Sequence, residues 1–293
     1  MMRRVVMIMG LVLPVAVQAQ PVMDRETCRE GWQALNAAMG QAARFQTIEP
    51  MVTDDGWCRI DRSVADLRDK DFSELEWRAT GVAEAIEESG FPESLEARFS
   101  GIDLIEAFGM DLPQERAGAM AGLTVMAERD PETLDFAIRA MDFDFGALGA
   151  ANFSLVGGGI DLSGLKRMQI TIGGLRIREA TLSVDTTPDL SRALSAGLGG
   201  EEQLALMREV VRVLPDDTVS EESRAALVAF LDAAPAQDGT LELSVTSEAG
   251  LGMIQIAGGG MQLEESVSDE DVKDAATLLL SGVRIEATWT PYN

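Results

Sequence analysis

Histidine is absent from this chain of 293 residues. Because histidine is the commonest general base and a frequent ligand of zinc and copper, its absence excludes Ser-His-Asp and Cys-His catalytic arrangements. Neither a G-x-S-x-G nucleophile elbow nor the Gly-Lys dipeptide of a phosphate-binding loop occurs. Ser163 and Lys166 match the S-x-x-K spacing of penicillin-binding proteins, but no S-D-N or K-T-G motif follows them. We therefore expect a protein that is not an enzyme and that needs no cofactor.

Basic residues are few, since 24 lysines and arginines stand against 49 aspartates and glutamates, for a formal net charge of −25. A polyanion of this size repels nucleic acid and anionic lipid headgroups, so we expect no nucleic-acid partner. Two small groups of carboxylates, Asp66 with Asp69 and Asp71, and Asp142 with Asp144, lack the mid-loop glycine and final glutamate of an EF-hand. We interpret them as solvated loop charge and predict no metal site.

Long hydrophobic runs are also missing, except at the start of the chain. Residues 5–17 are apolar, follow Arg3 and Arg4, and end at the small-x-small pattern of Val17 and Ala19. This run is shorter than the roughly 20 residues of a membrane-spanning helix and is typical of a secretory signal peptide, here over residues 1–19. We therefore expect a mature protein that does not span the membrane and that is located in the periplasm.

The chain contains two cysteines, Cys28 and Cys58. In an oxidising compartment an isolated pair is most simply a disulfide, and this wide spacing is not that of a catalytic C-x-x-C pair. Residues 27–44 carry apolar side chains at helical spacing, and a turn at residues 54–56 then leads to Trp57 and Cys58. The pattern predicts a disulfide-stapled N-terminal helical segment over residues 20–71.

From residue 72 the sequence changes to the alternation of polar and apolar residues that is typical of strands. Residues 188–234 return to helical periodicity, and residues 111–130 also have a helical pattern. Residues 83–90 fit either a helical turn or a strand. We therefore predict an α+β fold in which residues 72–293 form a strongly bent antiparallel β-sheet built from short hairpins, packed by amphipathic helices, with a helical insertion at 188–234.

Glycines interrupt the apolar alternation at four places. In FSLVGGGIDL (153–162) the apolar residues are odd-numbered before the glycines and even-numbered after them, and the parity also changes in IQIAGGGMQL (254–263), MQITIGGLRI (168–177) and LEARFSGIDL (95–104). A two-residue hairpin keeps both halves on one core, because residues that flank the turn pair across the strands. The alternative is a glycine bulge within a longer strand. We favour hairpin turns, at Gly157 and Gly158, Gly173 and Gly174, Gly258 and Gly259, and Ser100 and Gly101.

Strands joined by short glycine-containing turns also carry a family resemblance. The segments LKRMQITIGGLRIREATLSVD (165–185) and FLDAAPAQDGTLELSV (230–245) resemble the alternating β segments of AsmA-like and YdgA-like envelope proteins of Gram-negative bacteria. The resemblance is one of texture and extends over about residues 72–289. It implies a periplasmic protein with an elongated, curved sheet that is associated with envelope maintenance or lipid handling.

A binding function fits the compartment, the missing catalytic motifs and the curved sheet. Methionine suits adaptable apolar surfaces, and the chain places methionines on sheet and helix faces, such as Met110, Met120, Met126, Met253 and Met261. Our leading hypothesis is a non-enzymatic periplasmic protein that binds an apolar, lipid-like ligand or an envelope component in a groove of the sheet. One alternative is a protein-interaction or scaffolding module with an exposed apolar patch. Another is a carboxylate-dependent hydrolase, which requires two acidic side chains that face each other in a cleft.

Overall fold

Ten antiparallel strands form one open sheet in which the spatial order follows the chain order. The computed structural model describes residues 22–38, 49–61, 72–104, 119–197, 200–265 and 269–292, so the predicted signal peptide at 1–19 lies outside the described residues. The strands are β1 (Met51–Val52), β2 (Cys58–Asp61), β3 (Glu74–Thr80), β4 (Ser94–Asp103), β5 (Met120–Asp130), β6 (Asp135–Asp144), β7 (Gly149–Gly158), β8 (Arg176–Thr186), β9 (Gly239–Gly252) and β10 (Val283–Pro291).

Helices precede the sheet and connect several of its strands. In the described ranges they are α1 (Arg25–Ala38), α2 (Val82–Glu88), α3 (Leu165–Thr171), α4 (Pro188–Gly197), α5 (Gly200–Val213), α6 (Glu221–Asp232), α7 (Met253–Glu265) and α8 (Asp269–Leu279). The predicted α+β class with an antiparallel sheet is confirmed. The helical periodicity of residues 188–234 corresponds to α4, α5 and α6, and the ambiguous residues 83–90 belong mainly to α2.

One face of the sheet is apolar from edge to edge, because apolar residues at every second position come into register on neighbouring strands. Cross-strand pairing aligns them in three rows that we call the apolar ladders. The first ladder is Cys58, Trp77, Ala97, Val125, Met141, Phe153, Leu182, Leu243 and Ala287. The second is Ala79, Leu95, Ala127, Ile138, Leu155, Ala180, Val245 and Ile285. The third is Ile60, Leu75, Phe99, Leu123, Phe143, Ala151, Val184, Leu241 and Trp289.

The opposite face of the sheet is polar. The row next to the first ladder consists of Arg59, Glu76, Arg98, Thr124, Asp142, Asn152, Ser183, Glu242 and Thr288. On this face the guanidinium groups of Arg78 and Arg98 lie 4.3 and 4.1 Å from the ring centre of the buried Trp57. Glu96 forms an ion pair with Arg78. The sheet is thus amphipathic over its whole width, and its core must lie on the side of the ladders.

Buried residues on the described part of the chain form three separate clusters rather than one continuous core. The first surrounds the disulfide, where α1 packs on β2–β4. The second lies around Leu148 and Leu190, where α4 meets the ends of β4–β7. The third brings Leu214, Val219 and Ala276 together beside β10. The centre of the apolar face lies between these clusters.

The predicted disulfide is confirmed. Cys28 of α1 and Cys58 of β2 are bonded, with their Cα atoms 5.5 Å apart, and both are fully buried. Asp24 precedes α1, and its carboxylate accepts a hydrogen bond of 2.8 Å from the backbone N–H of Thr27, as a helix cap does. The turn before Cys58 passes through Gly56, whose φ of 79° suits glycine. Strand β2 also pairs with β3, so this segment extends the main sheet.

The hairpin turns predicted at the glycines are wrong. Gly157 and Gly158 are the last residues of β7 and pair with β6 and β8, Gly173 and Gly174 lie in a 3-10 turn after α3, and Gly258 and Gly259 lie inside α7. Thus MQIT, expected as strand, belongs to a helix. The bulge alternative is correct at Ser100 and Gly101, since the register of β4 with β5 shifts between Phe99 and Ile102 and Gly101 has a φ of 65°.

Close approach by neighbouring groups explains two of these glycines better than a turn does. A Cβ atom on Gly157 would lie 2.5 Å from the ring of Phe136, and one on Gly259 would lie 2.7 Å from the Cα atom of Leu279 in α8. Gly259 therefore allows α7 to pack closely against α8. Its neighbour Gly258 has no such contact within 4 Å.

The helical pattern predicted over residues 111–130 is wrong for its second half, which is β5. Residues 111–118 lie outside the described residues. Ala121, Leu123, Val125 and Ala127 recur at every second position, and cross-strand pairing with both β4 and β6 selects this period over the helical one. The apolar residues of this segment fit both the strand period and the helical period, so the pairing with β4 and β6 decides which structure forms.

A matched pair of alanine substitutions tests the role of the α7 glycines. Gly259→Ala is expected to lower the free energy of unfolding by about 1–3 kcal/mol, because the new methyl group meets the backbone of α8. Gly258→Ala is expected to raise it by about 0.5–1 kcal/mol, since alanine is the better helix former where space is open. Urea unfolding followed by circular dichroism measures both. Equal effects of the two substitutions would contradict this packing.

Candidate functional site

The centre of the apolar face is the candidate functional site. The ladder residues of β5–β9 in the first two ladders are all half-buried. They are Val125, Met141, Phe153, Leu182 and Leu243 in the first ladder, and Ala127, Ile138, Leu155, Ala180 and Val245 in the second. We call these ten residues the central ladders. Each is placed by the strand pleat, which directs alternate side chains to the same face.

The first ladder has more complete packing at its two ends than at its centre. On the side of β2–β4, Cys58, Trp77 and Ala97 are buried beneath α1. On the side of β10, Ala287 is buried, and Trp289 of the neighbouring third ladder meets Phe230 of α6 edge-to-face with ring centres 5.1 Å apart. Buried apolar residues contribute most to stability when they are removed fully from water. The central ladders gain less of this stabilisation than the two ends.

Irregular pairing accompanies the central ladders. The register shifts between β5 and β6, between β6 and β7, between β7 and β8, and between β8 and β9. Arg139 of β6 and Arg178 of β8 are skipped in the pairing with β5 and β7, and their side chains form ion pairs with Glu128 and Asp135. Bulges of this kind increase the local twist of a strand and bend it. Successive bulges on adjacent strands favour curvature of the sheet at the central ladders.

The polar face contains a groove of about 720 Å³ beside β8–β10. Its walls include Thr181, Ser183, Glu242 and Ser244 of the sheet, and residues 216–223 close one side. Carboxylates and hydroxyls are the most numerous groups in this lining, to which Leu182, Leu243, Ile285 and Ala287 add apolar surface. Among the described residues no three acidic or cysteine side chains come together in a way that could hold a metal ion. The Asp66, Asp69 and Asp71 group lies outside the described residues.

The S-x-x-K match has a structural role at Ser163. The Ser163 hydroxyl donates a hydrogen bond to the carboxylate of Asp161, which also accepts one of 2.9 Å from the backbone N–H of Ser163. The hydroxyl bond is the main cause that holds the pKa of Asp161 below its usual value, and Arg167 adds a smaller electrostatic contribution. Ser163 is buried, whereas Lys166 is exposed. Ser163 therefore forms a turn with Asp161, whereas Lys166 lies in the first turn of α3.

The glycine pairs that the sequence analysis predicted as hairpin turns lie in different elements and do not line one shared pocket. Gly157 and Gly158 end β7, whereas Gly258 and Gly259 lie in α7, which is followed by α8 and then by β10. The sequence did contain the signal for the central ladders, because polar and apolar residues alternate along each strand. It did not contain their register, which the bulges set.

The chain was compared with models of known protein families, with curated proteins and with solved structures, and none of them matches it. The class is therefore defined by the fold itself: an α+β protein with a ten-stranded antiparallel sheet in chain order and one apolar face. No helix in the described ranges is long and apolar enough to span a bilayer. The buried disulfide fits a protein of an oxidising compartment.

Proposed function

We propose that this is a periplasmic, non-enzymatic protein that binds an apolar, lipid-like ligand on the central ladders. The observation that carries the proposal is the half-buried state of ten aligned apolar side chains, whereas the first ladder is buried at both of its ends. The central ladders offer one apolar surface without carboxylate or amide side chains, which suits a hydrocarbon chain.

The length of the central ladders favours a single extended acyl chain as the ligand. The central ladders cross five strands, from β5 to β9. Neighbouring strands are about 4.8 Å apart, so the central ladders are roughly 20 Å long. An acyl chain that lies along the ladders contacts Met141 and Phe153, whose flexible thioether and flat ring adapt to its shape. A ligand of this length removes apolar surface on both partners from water, which stabilises the complex.

Adjacent residues on β8 give a sharp test, because they point to opposite faces of the sheet. Leu182 belongs to the first ladder, and Ser183 belongs to the polar face. A tryptophan introduced by Leu182→Trp is expected to be quenched by a brominated fatty acid, whereas one introduced by Ser183→Trp is not. Steady-state fluorescence titration of the mature protein measures both, with the wild type correcting for its natural tryptophans.

Mass spectrometry of the purified protein provides an independent measurement. We expect a copurified lipid after extraction from the native compartment. The proposal fails if the Leu182→Trp and Ser183→Trp variants, both folded by circular dichroism, show equal quenching, and if no lipid is extracted. A quenched Ser183→Trp variant would instead place the ligand in the polar groove.

A further inference from the structure

Helices α3 and α7 expose large aliphatic side chains that nothing in the described part of the chain covers. Ile170 of α3 is 83% exposed, and Ile254 and Met261 of α7 are 81% and 62% exposed. None of the residues of α3 is buried. Together with the exposed Leu165, Ile172 and Met253, these side chains form what we call the α3–α7 patch.

The two helices lie at the same end of the sheet. Helix α3 connects β7 to β8, α7 follows β9, and α7 contacts the turn Ile172–Gly174 that follows α3. The side chain of Arg176 fills the space beside Gly250 and Gly252, directly before α7. Within α7, Ile254 and Met261 are seven residues apart and therefore share one helix face. Helix α7 thus lies beside the turn that follows α3.

Charge on the α3 side of the patch is opposite to that of the whole chain. Both charged residues of α3, Lys166 and Arg167, are basic, and Arg176 and Arg178 follow this helix, whereas α7 is preceded by Glu248 and ends in Glu264 and Glu265. Among them Lys166 is exposed and forms no ion pair with the described residues, whereas Arg167 lies 3.8 Å from Glu88. The aliphatic surface thus has basic side chains along its α3 border, and the acidic residues of α7 lie at the C-terminal end of that helix.

We propose that the α3–α7 patch docks on the surface of a bilayer that contains anionic phospholipid. Exposed aliphatic side chains of surface helices insert below the headgroups, and flanking lysines and arginines attract anionic lipid. Protein interfaces instead centre on tryptophan, tyrosine and arginine anchors, and the patch contains no aromatic residue. The inference concerns the outer surface and is independent of the ligand on the central ladders.

The large negative charge of the chain does not prevent this docking at physiological salt. The Debye length there is about 8 Å, so carboxylates on distant parts of the sheet are screened from the bilayer. The basic border of the patch lies next to the headgroups and is screened much less. Docking is therefore expected to weaken when salt is raised, while the aliphatic contribution remains.

Vesicle cosedimentation of the mature protein tests the proposal. We expect binding to vesicles of phosphatidylglycerol and phosphatidylethanolamine, and weaker binding to phosphatidylcholine alone. The Ile170→Asp/Ile254→Asp variant is expected to lower the partition coefficient at least about tenfold, since two inserted side chains are lost. Lys166→Gln is expected to lower it about fivefold. Met120→Asp is the control, because Met120 is also exposed but lies at the opposite end of β5.

Three outcomes overturn the inference. One is equal binding by the Ile170→Asp/Ile254→Asp variant and the Met120→Asp control. Another is wild-type binding that does not depend on phosphatidylglycerol. The third is a dimer in sedimentation velocity that the double variant converts to monomer, since this would make the patch an interface between two copies. Failure here is distinguishable from failure of ligand binding, because fatty-acid quenching at Leu182→Trp does not involve the patch.

Discussion

Loss of the Cys28–Cys58 disulfide is expected to lower the free energy of unfolding by about 3–4 kcal/mol. The bond joins residues 30 positions apart and therefore restricts the unfolded chain strongly. It also lies in the first buried cluster, beside Trp32 and Trp77, so its loss weakens the contact of α1 with the sheet. Urea unfolding of the Cys28→Ala/Cys58→Ala variant measures the effect.

The wild type under reducing conditions is the control for this prediction. It keeps both sulfur atoms and loses only the covalent link, so it separates the effect of the bond from that of packing. If both the reduced wild type and the double variant lie within about 1 kcal/mol of the oxidised protein, the N-terminal segment is held by packing and not by the disulfide.

Replacement of Val219 by aspartate is expected to release the segment that covers the free edge of β10. The Thr218 carbonyl accepts a hydrogen bond of 2.7 Å from the N–H of Ile285, and the Ser223 hydroxyl accepts one of 3.1 Å from the N–H of Ala287. Between these bonds, Val219 is fully buried against Leu214 and Ala276. A carboxylate there is unpaired, so we expect a loss of about 3–5 kcal/mol.

Hydrogen exchange at Ile285 and Ala287 measures the release directly, because both amides lose their acceptors. An uncovered edge strand also pairs readily with other chains, so the Val219→Asp variant is expected to aggregate at concentrations where the wild type does not. Asp217→Ala changes an exposed residue two positions away and serves as the matched control. Unchanged amide exchange in Val219→Asp would show that the segment does not protect β10.

The apolar ladders show how much of the candidate site is present in the sequence. Alternation along β8, from Ala180 through Leu182 to Val184, is visible in the sequence and predicts a half-buried strand. Its partners are not visible, because the register with β7 and β9 depends on bulges at Arg178 and in residues 247–250. A shift of one residue would turn the ladder to the polar face.

Glycine positions show where prediction from the sequence stops. A glycine triplet fits a turn, a strand end or a close-packed helix, because glycine has no side chain to exclude any of them. Phe136 beside Gly157 and Leu279 beside Gly259 decide between these conformations, and both are distant in the sequence. The hairpin prediction rested on the change from odd-numbered to even-numbered apolar residues at the glycines. The conformation of each glycine segment is instead set by contacts with residues distant in the sequence.

The sequence by itself determined the features that depend on local chemistry. A single pair of cysteines allowed one intramolecular disulfide, helical periodicity placed α4–α6, and alternating residues made a sheet with one apolar and one polar face. Only the tertiary structure decided that the strands follow the chain order, that bulges align the ladders, and that the central ladders stay half-buried while the first ladder is buried at both ends. These properties depend on which distant residues meet, and burial is a property of those contacts and not of the residue type alone.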